Sequence, residues 1–361
     1  MKDAKLSNIQ LGLLTFGYLY GTIAITDPVL AAKSDAWIAS IIGYIGGTIL
    51  ITMYLFISKM NAGKTLTEIL ESCFGKVIGK AISILYIWYF LHKAAMNLRG
   101  FGEFMVITSY PETPMIVIII VFMIAVFYVV KKGLESIGKI GEITVPIIPI
   151  PILAMTTSLL TIKYFIGFRP ILHEIAPVLK GAFNFINVPF GDLVVFLMVF
   201  PYTNKEKGRF KATYIGISVF CILHMLSVVR DLLVIGPSII DFFMFPNHLS
   251  AQMIPGISIE PLVDINLVLG GGVKICLLLY GATKATAEIF NIEDYTPLLS
   301  AFVVFIVVLS IWVYSNVLEW QGGLQSIVSA VYSLPFQVII PLLMLIISMF
   351  KQRKKADIKS S

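Results

Sequence analysis

GYLYGTIAITDP, residues Gly17 to Pro28, lies inside the first apolar run of a 361-residue chain. The run is long enough to cross a bilayer, which takes about 20 mostly apolar residues. Yet within this short stretch it carries two glycines, two threonines, an acid and a proline. A helix that serves only as an anchor has no use for them. Glycine and proline weaken or break helices. In hydrocarbon every freed N–H and C=O must find a partner, so an interrupted helix is tolerated only where a cavity, a ligand or neighbouring protein supplies one.

The rest of the chain fits a membrane setting. It is 58% hydrophobic and 13% charged, with a mean hydropathy of +0.90. A soluble domain carries about 25% charged residues, so the composition indicates an integral membrane protein with the lipid bilayer as its solvent. Ten apolar runs follow one another: 9–31, 36–58, 78–108, 114–131, 143–165, 183–203, 209–236, 261–290, 297–318 and 332–350. Lys2, Lys5 and the first run loosely mimic a secretory signal, but the run exceeds an h-region and many like it follow, so it reads as a retained helix. Cys73, Cys221 and Cys276 lie far apart, with no CxxC or Cys/His spacing, and indicate neither a disulfide framework nor a zinc site.

The formal charge of +6 is distributed by topology. With the N-terminus cytoplasmic, the inner segments hold Lys59, Lys64, Lys76 and Lys80, then Lys131, Lys132 and Lys139, then Lys205, Lys207, Arg209 and Lys211, then Lys284 and the tail KQRKKADIKSS. The outer segments hold only Lys33, Lys163, Arg169 and Lys180. Lysine and arginine collect on the cytoplasmic side, so both termini are expected there and the positive charge is no nucleic-acid footprint. The inner segment NAGKTLTEILESCFGKVIGK reads as an amphipathic helix on the membrane surface. The broken apolar segment 237–260 reads as an outer lid or re-entrant piece.

The sixth run carries a second interruption, NVPFGD, residues Asn187 to Asp192. If the ten helices form two sets of five, residues 1–165 and 183–350, with 166–182 as an outer connection and 351–361 as a basic tail, the two interrupted helices are the first of each set. Gly/Pro-broken segments at corresponding positions of two halves point to a transporter-type binding site. Half-helix N–H groups suit a carboxylate and freed carbonyls suit an ammonium, so a small zwitterion would use both. Gly17 and Gly21 also form a GxxxG spacing, which explains them equally well by close helix packing.

GTIAITDP resembles the helix-one pattern of the spore germination permeases, the B subunits of Ger-type nutrient germinant receptors in the amino acid–polyamine–organocation superfamily. NLRGFGEFMV and YPETPM leaving helix three, GLESIGKIGEI before helix five, VPFGDLVVFLMVFP in helix six and VKICLLLYGATKATAEIFNIEDY in helix eight extend the resemblance over nearly the whole chain. The resemblance implies an all-α fold of five plus five inverted repeats, LeuT-like, with helices one and six broken and the ligand among helices one, three, six and eight. It implies a nutrient-sensing role for a small germinant such as an amino acid. A membrane A subunit and a lipoprotein C subunit in the spore inner membrane would be its partners. On this basis Gly17, Gly21, Thr22, Asn97, Asn187, Val188, Gly191 and Asp192 are the ligand-binding candidates. Two positions depart from the family pattern. Ile23 stands where a further glycine is frequent, and Asp192 stands where the family commonly has glutamate.

Charges inside a membrane default to functional candidates. Helix three places His92, Met96, Arg99 and Glu103 on one face, with Arg99 and Glu103 spaced for an i,i+4 pair. That pair reads either as a structural clamp to a neighbouring helix or as an outer gate. Lys274 sits mid-helix in helix eight, where a fixed ammonium would stand in for a coupling ion at the helix-one break or pair with Asp192. Arg99, Glu103 and Lys274 are therefore the ion-coupling or gating candidates. Asp192 reads either as an N-cap of the inner half of helix six or as a group facing the ligand ammonium. Asp27 and Asp35 are expected to be solvated near the outer surface. Arg230 and Asp231 are placed to neutralise each other, and His92 and His224 are expected to be packed or hydrogen-bonded. GxSxG, P-loop, HExxH and Cys/His constellations are absent from the sequence, so neither an enzyme nor a cofactor is expected. A stand-alone proton-coupled amino acid transporter is the alternative function.

Overall fold

Helix one is an α-helix from Asn8 to Ile23 and continues beyond the motif as a 3-10 helix, Pro28–Asp35. The computed structural model describes residues 5–23, 27–159, 171–172, 174–203, 206–254, 258–324 and 327–360, so residues 24–26 of the opening motif lie outside it. The restart after the break is written in the sequence. Asp27 accepts a hydrogen bond from the Val29 amide at 3.3 Å, and Pro28 occupies the first turn, where its missing N–H costs nothing.

Among the described residues nine further helices or chains of helical stretches follow. Helix two is Ala36–Met60, helix three Lys76–Thr108, helix four Met115–Lys131, and helix five runs from Leu134–Thr144 through Val145–Ile147 to Pro149–Leu159. Helix six comprises Ile175–Phe185, a π-helical stretch Ile186–Phe190 and a 3-10 stretch Gly191–Met198. Helix seven is Glu206–Val234, helix eight Glu260–Phe290 and helix nine Thr296–Trp312. Helix ten is Ile327–Leu334, a π-helical stretch Pro335–Ile339, and Ile340–Ser360. Among the described residues six helical stretches are long and apolar enough to cross a bilayer, and helices four and nine are shorter apolar helices. The chain is a multi-pass membrane protein, and its two sets of five helices are inverted, because an odd number of crossings reverses direction.

Both termini lie on one face. Leu6 donates its amide to the Tyr202 carbonyl at 2.7 Å, and Asn61 at the end of helix two reaches Ser348 at 2.9 Å. The surface helix Leu66–Phe74 sits on this face, opened by a Thr65/Glu68 capping box. Thr65 and Thr67 both donate to Glu288, tying it to the end of helix eight. On the far face the short helix Pro246–Gln252 occupies the segment read as a lid. Ser250 donates to Asp231 at 2.6 Å, and His248 pairs with Asp264 at 3.0 Å. Helix six begins at Ile175, ahead of the start expected at 183, because its outer half includes the polar stretch before Phe183 that composition assigned to the connection.

Helix eight packs along helix three, and helix one packs against both seven and eight. Gly21 is where helices one and eight meet most closely. A Cβ there would stand 2.2 Å from the Gly270 carbonyl oxygen, whereas a Cβ at neighbouring Gly271 would meet nothing within 4 Å. Gly17 faces Val145 and Val273. The GxxxG spacing therefore serves close backbone approach.

This contrast predicts that Gly21→Ala costs about 1–3 kcal/mol by forcing the two helices apart. Gly271→Ala should be neutral or slightly stabilising, as alanine is the better helix former. Thermal unfolding of the two variants in detergent distinguishes them. Equal melting temperatures would contradict the packing.

Candidate functional site

Helices one, three, six, eight and ten converge on Asp192, which is buried at the start of the inner half of helix six. Lys274, fully buried near the midpoint of helix eight, donates to Asp192 Oδ2 at 2.8 Å and to Thr22 Oγ1 of helix one at 2.5 Å. Lys93, near the midpoint of helix three, brings its ammonium within 3.2 Å of Asp192 Oδ1. The same oxygen accepts hydrogen bonds from Tyr89 at 3.0 Å and Gln337 at 3.1 Å. Each ammonium also lies over an aromatic face, Lys274 over Tyr18 at 5.2 Å and Lys93 over Tyr89 at 5.4 Å, an attraction that strengthens without water. Asp192 does not cap helix six with its side chain. It is the shared counter-ion of two lysines.

The backbone of the helix-six break is paired by side chains. Val188 leaves helical geometry at φ −134° and ψ 109°, and Pro189 brings no N–H. Gln337 Nε2 donates to the Asn187 carbonyl at 3.0 Å, Tyr54 to that of Gly191 at 3.2 Å and Tyr18 to that of Asp192 at 2.9 Å. These carbonyls, expected to suit a ligand ammonium, are taken. Gly191 admits Gln337, since a Cβ at this position would lie 2.1 Å from Gln337 Oε1. Helix ten is irregular at the same level. Its carbonyls at Phe336 and Gln337 accept from Tyr86 and Tyr54, each at 2.7 Å.

The candidates read from the sequence divide accordingly. Thr22, Asp192 and Lys274 meet at one point, with Gly191 and the backbone of Asn187 around them. Val188 supplies the break itself. Gly17 and Gly21 are helix-packing positions. Asn97 donates to the Lys93 carbonyl on its own helix at 2.7 Å, and the Asn187 side-chain oxygen is buried without a donor. Arg99 and Glu103 pair at 2.6 Å, and Arg99 also caps the end of helix nine through the carbonyls of Ser310 and Ile311 at 3.3 and 3.2 Å. These contacts join helix three to the end of helix nine. Lys93, Tyr89 and Gln337 were missed. A lysine in mid-span is itself a signal, and Gln337 follows Pro335, which marks the irregularity that delivers it.

Nearer the far face, Asp27 is not solvated. Its Oδ2 pairs with His224 Nε2 at 2.8 Å, and His224 Nδ1 meets the Tyr44 hydroxyl at 2.6 Å. The imidazole is stacked on Phe185 and Phe220, as packing of this histidine required. Asp35 is buried as well, accepting from the Leu172 amide at 2.9 Å. Arg230 and Asp231 do neutralise each other, at 2.8 Å, and Arg230 also binds Asn247.

Residues 5–318 match the model of a family described as "Spore germination protein". Spore germination protein KB of Bacillus subtilis (strain 168) is 28% identical over 371 residues, covering 99% of this chain and 98% of its own length. Spore germination protein B2 of the same organism is 25% identical over 313 residues, covering 81% and 82%. Two solved structures share the fold. A nucleobase-cation-symport-1 family transporter, closed with bromovinylhydantoin bound, superposes with a TM-score of 0.62 at 13% identity, covering 91% of this chain and 76% of its own. A Na+-coupled sialic acid symporter in a substrate-bound outward-open state gives 0.63 at 11% identity, covering 94% and 87%. At such identity the likeness is one of fold, the LeuT-type arrangement with two broken helices.

The charge arrangement ranks three substitutions. Asp192→Asn leaves two ammonium groups facing each other and should cost at least the about 3–5 kcal/mol typical of a broken buried pair. Lys274→Met leaves Lys93 and Asp192 as a pair but frees Thr22 and should cost less. The double variant should recover part of the loss of Asp192→Asn, because one ammonium is gone. A double-mutant cycle by thermal unfolding in detergent measures this, and additivity of the two single effects would refute the shared counter-ion.

Proposed function

Because the chain belongs to the family of spore germination proteins, we propose that it is the nutrient-sensing membrane subunit of a spore germinant receptor. In this reading it lies in the spore inner membrane with both termini cytoplasmic. It binds a small germinant, an amino acid foremost, beside the breaks of helices one and six, and it signals to a membrane A subunit and a lipoprotein C subunit. Its first five helices and its last five, the latter beginning at Ile175, act as its two repeats.

One observation carries the reading. Lys274 bridges Thr22, at the helix-one break, and Asp192, at the helix-six break, at 2.5 and 2.8 Å. The two interrupted helices are thereby held by one ammonium in the membrane interior. A ligand that binds one arrangement of these breaks better than another shifts the population between them by its differential affinity. That is sufficient for a receptor and requires no net flux. The fold is equally that of transporters, and a proton-coupled amino acid carrier would use the same residues, with Lys274 or Asp192 exchanging the proton.

Deleting the gene and testing spores against single nutrients should abolish germination by at least one nutrient. Purified chain in proteoliposomes should bind that nutrient without accumulating it. Concentrative uptake of the labelled nutrient by the chain alone would replace the receptor with the carrier. Unaltered responses to every nutrient in the deletion strain would remove the sensing role.

A further inference from the structure

Formal charge at the centre of the site does not balance. Lys93 and Lys274 face the single carboxylate of Asp192, and among the described residues no other carboxylate lies within ion-pair distance of either. Asp192 and Lys274 alone would be neutral and would still join helices one, six and eight. Lys93 is the surplus cation. It is also the less enclosed of the two, with its side chain 6% exposed against 0% for Lys274.

Asp192 is already engaged on both oxygens by groups of this chain. A carboxylate offers about four lone-pair directions. Oδ2 is held by Lys274 at 2.8 Å, and Oδ1 by Tyr89 at 3.0 Å, Gln337 at 3.1 Å and Lys93 at 3.2 Å. Two buried polar atoms on residues adjoining this centre have no partner. The Asn187 side-chain oxygen is buried in the helix-six break without a donor, and its residue is tied to the same centre through Gln337. His92 precedes Lys93 on helix three and packs edge-on against Tyr332 of helix ten at 5.3 Å, and its Nδ1 has no partner. A surplus ammonium at this centre is the complement of a molecule with one anionic group.

We infer that Lys93 is the ligand-reading residue, taking the carboxylate of a small carboxylate-and-amine nutrient in a subsite between helices three, six and ten. The inference rests on the germinant-binding reading above and relocates its anionic contact from the helix-one backbone to a side chain. A carboxylate on Lys93 brings the centre to formal neutrality. Asp192 and Lys274 stay paired as the latch. A neutral sugar or a plain amine cannot supply the missing negative charge.

The test uses the full chain purified in detergent, with thermal shift and competition binding. The probes are the twenty L-amino acids singly, the carboxamide of each one that binds, glucose and a nucleoside. At least one amino acid should raise the melting temperature. Its carboxamide should bind about tenfold or more weakly, since it loses a charge-assisted contact. Lys93→Met should erase that acid-to-amide preference while keeping the ligand-free melting temperature close to that of the unmodified chain. Lys93→Arg should retain the preference. An unchanged preference in Lys93→Met overturns the inference. So does a loss of ligand-free stability as large as that of Lys274→Met, because Lys93 would then be structural. A shift by glucose or nucleoside where no amino acid acts overturns the subsite and leaves the germinant-binding reading standing. No shift by any probe removes that reading and the subsite with it.

Discussion

A carboxylate in a membrane interior cannot remain ionised without cations and donors placed around it. A charged side chain at the centre of a spanning helix costs roughly 2.5–3.5 kcal/mol on insertion scales, and breaking a buried pair adds to that. Asp192 meets this constraint by drawing on four other helices. Lys93 and Tyr89 come from helix three, Lys274 from helix eight and Gln337 from helix ten, while helix one enters through Thr22 on Lys274. The convergence of five helices on one residue follows from the requirement to keep a single acid charged. The two lysines stand near the midpoints of their helices, so the meeting point lies deep in the fold.

The same logic extends to the backbone. A broken helix in hydrocarbon exposes carbonyls that need donors. Here the donors are long side chains from neighbouring helices: Tyr18 from the inner half of helix one, Tyr54 from helix two and Tyr86 from helix three. Gln337 serves both needs, donating to the Asn187 carbonyl and to Asp192. Its own position depends on the π-helical stretch beginning at Pro335, whose carbonyls are in turn capped by Tyr54 and Tyr86. Irregularity in helix six is thus matched by irregularity in helix ten. Neither could be regularised without leaving a buried group unpaired, which costs more than the bond itself contributes.

Much of the fold was legible because hydropathy reports membrane helices directly, and Gly/Pro interruptions report breaks such as that of helix six. Thr22, Asp192 and Lys274 were legible as polar residues in apolar runs. Lys93 obeys the same rule, but a stripe reading of helix three favoured His92, Arg99 and Glu103, which follow three- and four-residue steps. Lys93 lies off that stripe, one residue beyond His92, and faces helix six. Gly17 and Gly21 show the converse ambiguity. A glycine that opens a backbone and a glycine that admits a neighbour look alike in sequence, and only the position of Gly270 separates them. Asp27 looked like a surface acid because the matching His224 is distant in the chain.

The Asp27–His224–Tyr44 chain has a structural consequence that Asp192 alone does not provide. Helix one is held on both sides of residues 24–26, by Thr22 on Lys274 toward the termini and by Asp27 on His224 toward the far face. The two anchors belong to different helices, eight and seven. A rearrangement of this part of helix one would be passed to either helix by altering one of two well-defined polar contacts, each largely enclosed. Packed interiors yield between discrete arrangements and resist graded deformation. Two polar anchors on either side of one interruption give such a discrete choice, since a hydrogen bond of this kind is either formed or lost. Thr22 and Asp27 are thus two fixed points of the motif GYLYGTIAITDP, and its glycines reflect the close passage of helix eight beside it.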